Sequence, residues 1–289
     1  RLPGTDDISG IHVLRTLDDA LAIRAALDDD ADVVVIGAGF IGMEVAASAR
    51  SRGNRVTVVA ALPAPLMRGL GETLGGVVAD LHRSHGVDIR CHTPVEGFRT
   101  DDTGRVTGVS VAGETIPADV VVVGIGAVPN TEWLHGSGLT IDDGVVCDEH
   151  LAAVGVDDVW AVGDLARWHH PGYPEPRRFE HWTTAADHGA VVAANLLADT
   201  DQRTPHAPVP FVWSDQFGAK IQIVGDIGDT LHPIRGAIGD ESFLVVAVDE
   251  DDTITGAVGI NEPRATMTLN MAMRKGPLTL TDARDVAGA

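Results

Sequence analysis

An α/β fold is predicted for this 289-residue chain by three features of its sequence. Residues 32–60, DVVVIGAGFIGMEVAASARSRGNRVTVVA, run from a β-branched segment through a glycine turn into a helix of small residues, then into a second β-branched segment. Residues 119–124, DVVVVG, are apolar enough to be buried on both faces, as in a parallel sheet. Between these two stretches lie short alternating strands separated by DDTG and AGE, which read as hairpin turns and add an antiparallel part.

The elements follow in order. Residues 11–15 read as a strand, and Thr16 then N-caps a helix with aspartates in its first turn. Val33, Val34, Val35 and Ile36 form the next strand and lead directly into Gly37, Gly39 and Gly42. In this strand–turn–helix–strand setting the glycines read as a dinucleotide fingerprint. Gly37 permits the tight turn, Gly39 lets the backbone approach a pyrophosphate, and Gly42 lets the helix pack on the strand. Phe40 and Ile41 open the helix, whose unpaired N–H groups face the phosphate charge.

Leu74, Val77, Val78 and Leu81 have helical spacing within residues 72–85, and Gly86 stops that helix. Strands are expected at 87–91, 95–99, 106–111, 114–116 and 119–124, with a shorter one at 145–147. An alanine-rich helix spans roughly 183–198, and the proline-rich stretch 204–210 marks a boundary. Beyond it lie FVWSDQ (211–216), strands near 221–224, 243–248 and 254–259, and a last helix near 264–274.

Bulk properties narrow the function. The formal net charge is −21, and Lys220 and Lys275 are the only lysines, so nucleic acid is excluded as a partner by the lack of a basic footprint. No apolar run is long enough to span a bilayer and the first residues lack a signal-peptide pattern, which makes a cytoplasmic enzyme the default. Cys91 and Cys147 form no CxxC motif and read as buried thiols of a reduced compartment. The twelve histidines include no HExxH, and no metal site is expected.

Taken in order, GAGFIGMEVA, DVVVVGIGAVPN, WAVGD, FEHW and WSDQ resemble the FAD- and NAD(P)H-dependent ferredoxin reductases that serve Rieske oxygenases and bacterial cytochromes P450. The pair EHW…WSDQ narrows the match to this branch of the two-dinucleotide flavoproteins. The resemblance implies three units: an NAD(P)H-binding domain (1–125), the C-terminal half of an FAD-binding domain (126–207) and a C-terminal α+β reductase domain (208–289). A first glycine-rich unit for the ADP half of FAD precedes such sequences, so the chain is expected to be N-terminally truncated.

The resemblance also implies roles. Gly37, Gly39, Phe40, Ile41 and Gly42 would hold NAD(P)H, with Glu44 beside the nicotinamide; a glutamate favoured by the helix dipole is the simpler reading of Glu44. Gly126, Gly163 and Asp164 would line the FAD site; an aspartate ending a strand is otherwise a helix cap. Glu180, His181 and Trp182 would lie by the flavin ring, with Trp182 covering the reacting region.

The acid that normally selects NAD is replaced by Ala60 and Ala61 at the end of the second strand, with Arg68 some way downstream; NADH is favoured on family grounds. The expected reaction passes hydride to FAD and then single electrons to a [2Fe–2S] ferredoxin, docked near Arg167, His169, His170, Arg177, Arg178 and His181. Alternatives are an NADH oxidase, a nitrite reductase component or a non-catalytic NAD(P)-binding fragment.

Overall fold

The computed structural model describes residues 2, 4–5, 7–27 and 30–288. Along the chain run β1 (Ile11–Val13), α1 (Leu17–Ala26), β2 (Asp32–Ile36), α2 (Phe40–Ser51), β3 (Arg55–Val59), α3 (Met67–Ser84), β4 (Asp88–Arg90), β5 (Val95–Thr100), β6 (Val106–Val111), β7 (Glu114–Pro117) and β8 (Val120–Val123). They are followed by β9 (Val145–Cys147), β10 (Ala166–Trp168), α4 (Trp182–Leu197), β11 (Phe211–Gln216), β12 (Ala219–Gly225), β13 (Leu231–Arg235), β14 (Phe243–Val248), β15 (Ile254–Ile260), α5 (Pro263–Met273) and α6 (Leu280–Ala287).

The central sheet has the order β1-β8-β2-β3-β4, and every pair in it is parallel. Alternation along β2 assigns its two faces. Val33 and Val35 join the core formed with Met43, Ala46, Leu74 and Val78 of the helices, whereas Val34 and Ile36 face the three-stranded antiparallel sheet β5-β6-β7 through Val109 and Ile116.

The first of these cores continues into the C-terminal sheet, order β11-β12-β15-β14-β13, because Ile221, Ile223, Phe243, Val245 and Val258 belong to it as well. The opposite face of that sheet, with Leu244 and Val246, packs on Leu269 of α5 and Ala283 of α6. A separate parallel pair, β10-β9, has its own core built around the fully buried Trp168. Apolar side chains nearby face outward, among them Val128, Trp133 and Leu197, the last 91% exposed.

Several expectations need adjustment. The first strand stops at Val13; Thr16 and Asp19 then form a reciprocal capping box at α1. Helix α3 starts at Met67 rather than 72, because a turn before Gly71 is helical and Gly71 (φ +70°) kinks the axis. Strand β10 was not expected, nor was β13, whose Pro233 is tolerated because β13 lies at the sheet edge. The helix at α5 is not the last: α6 follows, opened by a second capping box between Thr279 and Asp282. Cys147 is buried as expected, but Cys91 is only partly so, and both are free thiols.

Candidate functional site

Three glycines of the fingerprint occupy three different environments. Gly37 takes φ +101°, and a β-carbon there would lie 2.2 Å from the Gly124 carbonyl oxygen. The end of β8 therefore passes directly beside the turn, a contact tightened by the hydrogen bond from Gly124 N–H to Ile36 O (2.7 Å), while Gly37 N–H ties the turn to Val59 O of β3 (2.8 Å). Gly42 is packed against Gly37 and the Val35 side chain. Gly39, the N-cap of α2, has no protein atom nearer than 3.9 Å to its β-carbon position. Space is left at the helix N-terminus where an anion is favoured, so the cradle fits a pyrophosphate.

The start of α3 closes one side of this cradle. Leu66 N–H donates to Ala38 O at 2.8 Å, and Gly69 lies beside the Phe40 ring. The exposed Arg68 is thus carried on a turn that touches the fingerprint loop, although it is distant from Ala60 in sequence. Ala60 itself is buried, and its N–H donates to Arg90 O. The Arg90 guanidinium is held by Asp88 and Glu114.

Glu44 lies on the first turns of α2 and accepts a 2.5 Å hydrogen bond from the Ser214 hydroxyl of β11. The WSDQ segment therefore reaches the nucleotide helix directly. The same strand reaches the second group of expected site residues, because Thr183 Oγ1 at the start of α4 donates to Phe211 O at 2.8 Å.

Gly163 and Asp164 form a single 3-10 turn, in which Gly163 has φ +69° and rests against Ala185 of α4. Its N–H donates to His188 Nδ1 at 3.1 Å. Glu180, His181 and Trp182 enter α4, with His181 as its N-cap residue. Glu180 is held by Arg178 at 2.5 Å, Nδ1 of His181 is buried without a partner, and Trp182 is 78% exposed. Burial lowers the His181 pKa from its usual value, outweighing the nearby charges of Asp164 and Glu180. Gly126 (φ +123°) is exposed two residues past Gly124. Strand β11 joins the fingerprint helix to the start of α4 through the hydrogen bonds of Ser214 and Thr183.

The basic cluster is largely committed within the chain. Arg167 pairs with Asp142. Arg178, with only 9% of its side chain exposed, bridges Asp143 and Glu180 and reaches the carbonyl oxygens of Asp143 and Asp164. Arg177 lies over the Tyr173 ring and 3.5 Å from Asp226, and is the more exposed of the last two. His170 is buried, whereas His169 is exposed.

No helix among the described residues is long and apolar enough to cross a membrane, and no group of three or more His, Cys, Asp or Glu is placed to hold a metal. Sequence reasoning missed Gly124, Gln216 and His82. Gly124 and Gln216 stand in the quoted DVVVVGIGAVPN and WSDQ segments, while His82 reaches Gln216 only through the packing of α3.

Comparison with known proteins gives the affiliation. Residues 1–189 match the family model described as pyridine nucleotide-disulphide oxidoreductase. The chain belongs to that family. Residues 211–287 match a second model, described as reductase C-terminal. Rhodocoxin reductase of Rhodococcus erythropolis is 37% identical over 287 residues, covering 98% of this oxidoreductase chain and 66% of that protein.

Putidaredoxin reductase CamA of Pseudomonas putida is 35% identical over 270 residues, covering 90% and 63%. The crystal structure of the covalent putidaredoxin reductase–putidaredoxin complex superposes with a TM-score of 0.87 at 32% identity, covering 95% of this chain and 66% of that one. The chain spans just under two thirds of the length of these two relatives.

Proposed function

We propose that this chain carries the NAD(P)H site and the C-terminal unit of a flavoprotein that takes hydride from NADH and delivers single electrons to a [2Fe–2S] ferredoxin serving an oxygenase. The observation that carries this reading is the Ser214–Glu44 bond, which locks the reductase-type C-terminal strand onto the glycine cradle. Gly37, Gly39, Phe40, Ile41 and Gly42 hold the pyrophosphate, and Glu44 faces the nicotinamide. Gly126, Gly163, Asp164, Glu180, His181 and Trp182 hold the flavin end. When bound, the nicotinamide supplies hydride and the flavin converts the pair of electrons into single ones. The chain's own contribution is alignment and electrostatics rather than a proton donor.

The functional units are 1–125, 126–207 and 208–289, in the order given above. NADH is favoured on family grounds; Ala60 and Ala61 supply neither the acid that selects NAD nor a cation for a 2′-phosphate.

Ferredoxin docking is assigned to the face of Arg167, Arg177 and Arg178, where Asp142, Asp143, Glu180 and Asp226 offset much of the positive charge and Arg177 is the most exposed of the three guanidiniums. Arg178 shapes that face from below, and Arg177 with His169 meets the partner.

Titration of the chain with NADH, NADPH and FAD, followed by fluorescence and visible absorbance, tests the reading. Binding of NADH that is abolished by Gly42→Ala is expected; failure of the wild-type chain to bind either nicotinamide nucleotide refutes it. In reconstituted turnover, Arg177→Glu should slow ferredoxin reduction while sparing a small dye. Equal effects on both acceptors would remove the docking assignment.

A further inference from the structure

Glu44 is one end of a hydrogen-bond chain that runs through three elements. Ser214 Oγ lies 2.5 Å from Glu44 Oε1, Gln216 Nε2 lies 2.9 Å from Ser214 Oγ, and His82 Nε2 of α3 lies 2.9 Å from Gln216 Oε1. Ser214, Gln216 and His82 are all buried. Residues two apart on a strand share a face, which is why S and Q of WSDQ meet here while Asp215 turns outward to Lys220 at 2.8 Å.

One set of donors and acceptors satisfies the whole chain. The Ser214 hydroxyl donates to Glu44 Oε1. The Ser214 oxygen then accepts from the Gln216 amide N–H, and the amide oxygen in turn accepts from His82. Burial lowers the His82 pKa and so favours the neutral ring, and with Nδ1 unpartnered the tautomer that completes the chain carries its proton on Nε2. Such a chain polarises in one sense, each bond strengthening the next. It holds Glu44 Oε1 toward β11 and leaves Oε2 outside the chain.

We infer that Ser214 is a positioning residue for the nicotinamide end of the nucleotide site, fixing the Glu44 carboxylate through a relay anchored by Gln216 and His82. This inference rests on the nucleotide reading of the Gly37–Glu44 cradle. A purely structural role for the same bonds would affect the whole site alike. A positioning role affects only the part of the ligand that Glu44 faces.

The test compares NADH with ADP-ribose, which shares the pyrophosphate and adenosine but lacks nicotinamide. Dissociation constants are measured for the wild-type chain and for Ser214→Ala, Ser214→Thr, Glu44→Gln and the double variant Ser214→Ala/Glu44→Gln. Far-ultraviolet circular dichroism and thermal unfolding check that each variant is folded.

Ser214→Ala should weaken NADH about tenfold, the scale of one charge-assisted hydrogen bond, and leave ADP-ribose unchanged. Ser214→Thr, which keeps the hydroxyl, should restore NADH binding. On the Glu44→Gln background the Ser214→Ala change should cost nothing further, since the two act as one unit.

Equal loss of both ligands in Ser214→Ala, or additive losses in the double variant, overturns the relay and leaves the nucleotide site standing. A wild-type chain that binds neither ligand overturns the nucleotide site and the relay with it.

Discussion

A β-carbon on Gly42 would lie 2.1 Å from the carbonyl oxygen of Gly37. The oxygen belongs to the backbone and a β-carbon is fixed to its Cα, so neither can swing aside as the end of a long side chain would. Gly42→Ala must therefore push α2 away from β2. Overpacking of this kind costs about 1–3 kcal/mol, and here it also opens the cradle. Chemical denaturation should show a lower midpoint with an unchanged slope, and an NADH titration should show binding lost beyond what the stability change explains.

Stability should fall as the solution is acidified below pH 6.5. His188 and His206 pack around Trp168, are buried, and have their pKa values pushed by burial down to about 3 and about 4. The unfolded chain takes up protons on these rings near pH 6.5, while the folded one does not until about pH 4 and then pH 3. Within that window unfolding binds protons, so stability rises with pH, at up to about 1.4 kcal/mol per pH unit for each ring. Above pH 6.5 both states carry neutral rings and the effect vanishes. Urea unfolding at pH 7.5, 6 and 5 reads the trend, and His206→Asn should flatten it.

Arg178 and Arg177 are neighbours with opposite expectations. Arg178 holds two acidic side chains and two carbonyl oxygens from a nearly buried position. Arg178→Ala should cost about 1–2 kcal/mol, reduced from a fully buried case because Asp143 and Glu180 are themselves solvated. Arg177 makes one exposed pair, and Arg177→Ala should cost about 0–1 kcal/mol. Thermal unfolding of the two variants side by side checks the contrast. It also shows which of them is a clean probe of docking.

The two thiols should differ in reactivity. Burial raises the Cys147 pKa to about 12, so almost none of it is thiolate at pH 8. Cys91 is half-buried and raised less. Aromatic disulfide titration of the native protein at pH 8 should count at most one thiol, appearing slowly, and two after denaturation in urea.

Much of the fold can be read from sequence because it is written locally. Val33–Gly42 states strand, turn and helix within ten residues, and Thr16 announces α1 through Asp19 three positions on. The same capping pattern stood at Thr279 and Asp282 before α6, but the helix is short and polar, with Ala283 and Ala287 as its buried residues, so no apolar stripe advertised it. Strand β13 was hidden by Pro233, a residue that argues against a strand until its edge position is known.

The site divides the same way. The glycines are local and legible, whereas Glu44 and Ser214 are 170 positions apart and meet only once the C-terminal sheet is laid against α2. Arg68 shows the converse: distance along the chain hid a position that Leu66 ties to Ala38.

The core that contains Val33, Val35 and Met43 is the same core that contains Ile221, Phe243 and Val258. The two segments that match separate family models are therefore not interchangeable cassettes. A chimera joined within residues 204–210 would set one protein's apolar knobs against another's holes along a whole sheet face. It would also have to supply, from a foreign strand, the hydroxyl that Glu44 accepts. Substitutions accumulating on either side of that seam are constrained to change in step.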